Sequence, residues 1–336
     1  MRRLTLPLLF FLMALTALTV LFIGRFSELT PAHAVELFYA LVRGESLTAL
    51  QENQYIALIY VRLPRIAAAL LVGAALAISG GAYQSMFMNP LVSPGILGVL
   101  AGASFGAGIG MVFFHDSWMA TQILAFLFAC VAVGFALFFS AFFRWRSILI
   151  LLLGGIISAS FFTSLTALMK FLAGPEKQLP ELTYWLMGSF ARVEAHTILW
   201  VGIPMLLLTG YLCTQGKVTN VLSMGDEEAL SMGVAVRAAR LRIILCATLL
   251  SAFTVVLVGI VGWVGLVIPH IMRFLTGPDN RILLPASAMA GAIFLLVTDS
   301  IARTVFTAEL PIGVYTSLVS LPVFAVSLYM NRRSWQ

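Results

Sequence analysis

The stretch 66-IAAALLVGAALAISG-80 runs for fifteen residues without a charge, and nine of them are Ala, Gly or Ser. With its flanks it forms an apolar segment over about residues 57–80, long enough for a helix to cross the hydrocarbon core of a bilayer. A membrane-spanning β-strand would alternate apolar and polar residues, whereas this segment is continuously apolar. The stretch therefore predicts a transmembrane helix in which small residues permit close packing.

The rest of the chain repeats this pattern. Of 336 residues, 61% are hydrophobic and only 10% are charged, too few charges to cover the surface of a soluble globule. Further spans are predicted at about 4–24, 95–114, 118–142, 148–172, 196–213, 239–262, 281–301 and 311–330, with a shorter, proline-interrupted one at 264–276. We predict an all-α polytopic membrane protein of about ten transmembrane helices, with residues 1–336 forming a single transmembrane domain.

The first span could be mistaken for a signal peptide. Two arginines precede it, and 32-AHA-34 has the small-x-small pattern of a cleavage site. The apolar run over 4–23 is longer than a usual signal core, however, and a charged stretch separates it from Ala34. We expect it to be retained as the first helix.

Charge sets the expected orientation. If both termini are cytoplasmic and ten helices alternate, the inner segments carry twelve of the twenty Lys and Arg residues and four of the fourteen acids. This gives a net charge of +8 inside and −2 outside, as the positive-inside rule requires. The basic composition therefore reflects membrane topology and not nucleic-acid binding.

A run of three acids stands out on the inner side, in 223-SMGDEEALSMGV-234. Gly225 breaks the preceding segment, Asp226 is predicted as N-cap, and Gly233 can end the helix, which predicts a short helix over about 226–232. Leu230 and Met232 beside the acids favour a docking surface, although a solvated connector is the alternative.

The sequence predicts no nucleotide-binding, metal-binding or catalytic site in this chain. It contains no phosphate-binding G-x-x-x-x-G-K-[ST] motif, no metal-ligand spacing and no catalytic constellation, and its three cysteines show no paired spacing. If the protein is a pump, another subunit must hydrolyse ATP.

Two outer motifs present arginines, 62-RLPR-65 and 299-DSIAR-303. Arg62 and Arg65 share one helical face, and Asp299 can pair with Arg303 at i, i+4. Snorkelling to the interface is one interpretation, and docking of an acidic partner is the other.

Two further patterns concern helix surfaces. Gly98, Gly102, Gly106 and Gly110 form a stripe that favours tight helix packing, with a ligand lining as the second interpretation. Between 158 and 166 the fifth span carries five hydroxyl residues, Ser158, Ser160, Thr163, Ser164 and Thr166. Each could bond its own helix backbone, but together they favour a wet pathway face. The absence of a mid-membrane carboxylate argues against a proton- or sodium-coupled carrier.

Five ordered blocks resemble one known family, the FecCD-type permeases of ATP-binding-cassette importers for iron–siderophore complexes, haem and vitamin B12. The blocks are 62-RLPRIAAALLVGAALAISGGAYQSMFMNPLVSPGILGVLAGASFGA-107, 184-YWLMGS-189, 225-GDEEALSMGV-234, 259-GIVGWVGLVIPHIMR-273 and 299-DSIARTVFTAELPIGV-314. The resemblance covers about residue 55 to the carboxy terminus.

The resemblance implies a type II importer permease fold, a homodimer in the bacterial or archaeal inner membrane, two partner ATPases that bind ATP and Mg, and an extracytoplasmic substrate-binding protein. It also implies site residues. Short coupling helices at about 218–236 would carry Gly225, Asp226, Glu227, Glu228, Ala229, Leu230 and Gly233. The binding protein would dock on Arg62, Arg65 and Arg303, and the gate and pathway would include Arg146, Ser147, Ser158, Phe162 and Ser164.

The cargo is less defined. We expect an iron complex, a siderophore or haem, because a weakly polar lining suits a bulky chelate better than a small bare anion. Cobalamin and the oxyanion molybdate are the alternatives within the family. An autonomous secondary transporter and an intramembrane enzyme are the alternatives outside it, and both would need polar groups at mid-membrane depth.

Overall fold

The computed structural model describes residues 2–24, 29–114, 117–143, 148–305 and 309–330, and within these ranges the chain is helical and contains no β-strand. Helices satisfy their backbone hydrogen bonds internally, which a hydrocarbon environment requires. The predicted all-α fold is confirmed.

The helices follow one another through short connections. The first part of the chain contains α1 Arg2–Phe22, α2 Pro31–Arg43, α3 Ala49–Tyr55, α4 Leu63–Met86, α5 Val99–Phe113, α6 Trp118–Phe142 and α7 Ile148–Leu172. The second part contains α8 Gln178–Leu186, α9 Ala195–Thr214, α10 Gly216–Leu222, α11 Asp226–Ser231, α12 Val236–Val258, α13 Val264–Thr276, α14 Asn280–Val305 and α15 Ile312–Met330. A π-helical stretch, Ile56–Arg62, joins α3 to α4.

The apolar helices correspond to the predicted spans. In the described ranges, seven helical segments are long and apolar enough to cross a membrane, and three shorter apolar helices accompany them. The largest boundary difference is the continuous segment Ala49–Met86, which starts eight residues before the predicted span. Thr48 explains this start, since its hydroxyl accepts from the Gln51 N–H while the Gln51 side chain accepts from the Thr48 N–H.

The centre of the fold is α4, which packs against α14, α12, α13 and α9. Glycine pairs allow the closest approaches. A Cβ added to Gly73 would lie 2.2 Å from the carbonyl oxygen of Gly291, and one added to Gly80 would lie 1.6 Å from that of Gly265. Both distances are far below van der Waals contact, so these helices touch through backbone where only glycine fits.

The glycine stripe of α5 also allows close contact between helix backbones, at a second interface. A Cβ on Gly102 or Gly106 would lie 2.2 or 2.1 Å from a carbonyl oxygen of α6, and Gly110 also faces α6. Gly98 instead faces α7, where a Cβ would meet a side-chain oxygen at 2.9 Å. Helices α5, α6 and α7 therefore form one tightly packed layer, which contacts the centre of the fold through α12.

Candidate functional site

The run of three acids forms α11, a short helix between α10 and α12 at the predicted cytoplasmic end. Gly225 (φ 116°) and Gly233 (φ 78°) flank it with backbone conformations that favour glycine. The predicted N-cap is wrong by one residue, because Gly225 takes that position and Asp226 is the first helical residue. The helix ends at Ser231, and its three acids occupy the first turn, where the helix dipole favours them.

The surface of α11 is mixed in character. Ala229 is fully buried and packs the helix against the rest of the protein, while the Glu227 and Glu228 side chains are exposed. Leu230 and Met232 are 61% and 59% exposed. Exposed apolar side chains beside carboxylates are typical of a surface that binds another protein.

One ion pair ties α11 to the long helix α12. Both terminal guanidinium nitrogens of Arg240 donate to the Asp226 carboxylate, with Nη1 at 2.9 Å from Oδ2. The Arg240 residue is buried, whereas the Asp226 side chain is 48% exposed. A two-point contact of this kind fixes direction as well as distance. The pair therefore fixes the orientation of α11 against α12.

A second network ties α10 to the start of α14. Asn220 donates from Nδ2 to Asp279 at 2.7 Å and accepts from the Asn280 N–H at 2.7 Å. Hydrogen bonds from Arg281, and then from Asn220, hold the pKa of Asp279 well below its ordinary value. Asp279 is therefore ionised at physiological pH, and the helix that precedes α11 is anchored by charge-assisted bonds.

The three arginines that were predicted to lie outside, Arg62, Arg65 and Arg303, meet in a buried cluster. Arg65 binds Asp299 through Nη2 at 2.8 Å and Nε at 3.0 Å, and it binds Glu309 through Nη1 at 3.0 Å. Arg303 lies 3.9 Å from Asp299. The Arg65 and Arg303 residues are only 8% and 7% exposed, so α4 and α14 are joined by an internal ion network.

The same cluster holds the end of α1. Arg62, which is 3% exposed, donates to the Leu21 carbonyl at 2.7 Å, and Arg303 donates to the Val20 carbonyl at 3.0 Å. Carbonyls in the last turn of a helix lack helical partners, and positive charge there is favoured by the dipole. In this structure the predicted docking arginines clamp three helices together, and their contact with a binding protein stays a prediction.

The predicted pathway residues of α7 divide between two faces. Ser158 is buried and donates to the Ala132 carbonyl of α6 at 2.7 Å. Phe162 is also buried, against rings of α5 and α6. Ser164 lies on the opposite, exposed face and bonds the Ser160 carbonyl at 3.0 Å. The hydroxyls therefore do not form one row, and the predicted gate residues Arg146 and Ser147 lie outside the described residues.

A charge that the sequence did not single out, Lys170, lies in the last turn of α7 on this exposed face. A groove of about 290 Å³ between α5 and α7 is lined by Ser104, Thr163, Ala167 and Lys170, among others. Thr163, Ala167 and Lys170 are spaced i, i+4 and i+7, so the helical period could have placed the lysine with the hydroxyls.

The described residues offer packing and ion pairs in place of a metal centre. No group of three or more His, Cys, Asp or Glu side chains that could hold a metal ion occurs among them. Cys130, Cys213 and Cys246 are free thiols on three different helices. The His270 ring packs edge-on against Phe274, with centroids 4.9 Å apart.

Comparison with known proteins places these features in a family. Residues 8–330 match the FecCD transport family. The molybdate import system permease protein MolB of Haemophilus influenzae is 36% identical over 96% of this chain and 94% of its own length. The hemin transport system permease protein HmuU of Yersinia pestis is 37% identical over 79% of this chain and 80% of its own. A solved chain described as an inward-facing conformation of a metal-chelate type ABC transporter is 34% identical, with a TM-score of 0.84 over 98% of this chain and 99% of that one.

Proposed function

This chain belongs to the FecCD transport family and is a membrane permease of an ATP-binding-cassette importer, and from that premise we propose that its cargo is molybdate, with an iron complex as the second candidate. Membership of the family implies an ATPase partner and a substrate-binding partner. In this proposal the chain provides the transport pathway, and the partner ATPase hydrolyses ATP. We propose a homodimer with two ATPase subunits, both termini in the cytoplasm, in an inner membrane.

One observation carries the choice of molybdate. The molybdate permease aligns with 96% of this chain and with 94% of its own length, whereas the haem permease aligns with 79% of this chain. The iron complex expected from the sequence keeps its place as second candidate, because the metal-chelate type transporter has the same fold throughout. Cobalamin is the third.

In this proposal α11 receives the motion of the partner ATPase. Its exposed Leu230 and Met232 supply apolar contact, and its acids supply orientation. The pair between Asp226 and Arg240 would pass the displacement to α12, and the network around Asp279 would hold α10 against α14. Rocking of these helices alternates access to the pathway, while phosphate chemistry stays in the ATPase.

The exposed face of α7 is the proposed wall of that pathway. Only 28% of its most apolar window is buried within the described chain. A second copy facing it would enclose a channel between two such surfaces. The buried Ser158 and Phe162 would then support the wall, and Ser164 would line it.

Transport into sealed vesicles tests the proposal. We would reconstitute the permease with its ATPase, add binding protein loaded with labelled molybdate, ferric siderophore, haem or cobalamin, and measure uptake with and without ATP. The expected result is ATP-dependent molybdate uptake. Uptake of only an iron complex or cobalamin would overturn the cargo, and accumulation without the ATPase would revive the autonomous carrier.

A substitution in α11 tests the proposed coupling between the ATPase and the permease in the same vesicles. Asp226→Ala should lower uptake about tenfold while ATP hydrolysis continues, because the link to α12 is lost, a change within the usual range of coupling energies. Arg242→Ala, an exposed arginine on α12, is the matched control and should leave both rates unchanged. Equal uptake by Asp226→Ala and the wild type would contradict this role for the pair.

A further inference from the structure

We propose that Lys170, with the hydroxyl of Thr163, forms an anion-binding station at the outer end of the pathway, where it selects cargo that presents negatively charged oxygens. This inference rests on the proposed function and adds to it the class of cargo and the residues that recognise it.

The position of Lys170 is the first argument. It lies two residues before the end of α7, on the same exposed face as Ser160, Thr163 and Ala167. Thr163, Ala167 and Lys170 border a groove of about 290 Å³, which is also lined by Ser104 of α5, Leu186 and Ile260. A groove of this size admits a tetrahedral oxyanion with part of its hydration shell, or one acidic edge of a larger chelate.

The bonding state of these groups is the second argument. In the described part of the chain, Lys170 has no hydrogen bond or ion pair with any other residue. Glu181, an acid of the following helix α8, is instead paired with Arg192 at 3.2 Å. The ammonium charge at the groove is therefore not neutralised by the chain around it.

The hydroxyl groups that line the groove also differ in whether they have a hydrogen-bond partner. Ser104 and Thr166 donate to carbonyls four residues earlier, at 2.7 and 2.8 Å, as hydroxyls in apolar helices usually do. Thr163 makes no such bond within the described chain, so its O–H can donate into the groove. A point charge and a free hydroxyl donor together suit an anion that accepts hydrogen bonds from several directions.

The competing explanation is that Lys170 only extends to the membrane surface. Long basic side chains near helix ends commonly bury their stem and keep the charge in water. That role would respond to the amount of lipid charge and would not discriminate between cargoes. Concentration-dependent uptake separates the two explanations.

The experiment compares Lys170→Gln, Lys170→Arg and Lys177→Gln in the reconstituted importer. Lys177 is an exposed lysine just beyond α7 and serves as the matched control. Uptake is measured against the concentration of molybdate-loaded binding protein, and hydrolysis is measured with loaded and empty binding protein.

We expect Lys170→Gln to lower molybdate uptake at subsaturating cargo about tenfold, the size of one charge-assisted hydrogen bond, while Lys170→Arg and Lys177→Gln stay near wild type. Hydrolysis with empty binding protein should not change. Uptake by Lys170→Gln at the wild-type rate would overturn the anion-binding station. An equal loss of ATP hydrolysis with loaded and with empty binding protein would also overturn it, because that loss would assign Lys170 to protein docking. If the wild type imports nothing with ATP, the proposed function fails instead.

Discussion

Helices α4 and α7 are both long and apolar, yet one is the centre of the fold and the other is mostly uncovered. In the most apolar window of the segment that contains α4, 78% of residues are buried, against 28% for α7. Hydrophobicity therefore places both helices in the membrane without deciding which of them is covered by protein. In a bilayer, lipid and protein interiors are similarly apolar, so close fit and not hydrophobicity drives helices together.

Small residues account for the difference. On α4, Gly73 and Gly80 lie on faces that meet the backbones of α14 and α13. On α7, Gly154 meets α6 and Gly155 meets the turn that precedes α5, leaving the other side of the helix open. Helix α4 is therefore enclosed by its own chain, whereas α7 presents a surface that the described chain does not cover.

The largest expected effect is a loss of the close packing around α4. Gly80→Leu places a Cβ where the carbonyl oxygen of Gly265 lies only 1.6 Å away. We expect a loss of at least about 5 kcal/mol, beyond the usual cost of overpacking, because the obstacle is backbone that cannot rotate aside. The measurement is recovery and thermal unfolding of the purified protein in detergent.

Gly134→Leu is the control for this substitution. An added Cβ at Gly134 of α6 meets nothing within 4 Å. The control should unfold like the wild type. If Gly80→Leu also unfolds at the wild-type temperature, close backbone contact is not what holds α4 in place.

The second effect concerns the ion network that joins α4 to α14. Asp299→Ala leaves Arg65 and Arg303 without their buried carboxylate, and removing one partner of a buried pair costs about 3–5 kcal/mol. A fall in the unfolding temperature measures this. Glu45→Ala removes an exposed pair with Arg43, 3.7 Å apart, and should change nothing measurable. Similar stability of the two variants would show that the outer cluster is not a clamp.

The smallest expected effect distinguishes the buried face of α7 from its exposed face. Ser158→Ala removes a buried hydrogen bond to α6 and should cost about 1 kcal/mol. Ser164→Ala, on the exposed face, should change stability by less than about 0.5 kcal/mol. Ser164→Leu should keep that stability but lower uptake in vesicles, because it narrows the proposed pathway. A destabilised Ser164→Ala would mean that this face is packed.

Part of the site was predictable because its signal is local. Three consecutive acids between two glycines define α11 within about a turn, and the helix does run over Asp226–Ser231 between Gly225 and Gly233. The arginines were misjudged in one respect, since an outer position suggested exposure while the structure buries all three. Arg65 meets Asp299 across 234 positions of sequence, and no local pattern reveals such a partner.

The all-helical membrane fold, the positions of the spans and the short acidic segment all follow from the amino-acid sequence. Each of these depends on runs of neighbouring residues, whose transfer into lipid or capping of a helix needs no distant contact. Only the tertiary structure decided which face of each span is covered, separated Ser158 from Ser164, and set Lys170 beside Ser104. Those outcomes depend on which helices pack together, and between equally apolar surfaces that choice is made by the fit of residues far apart in the chain.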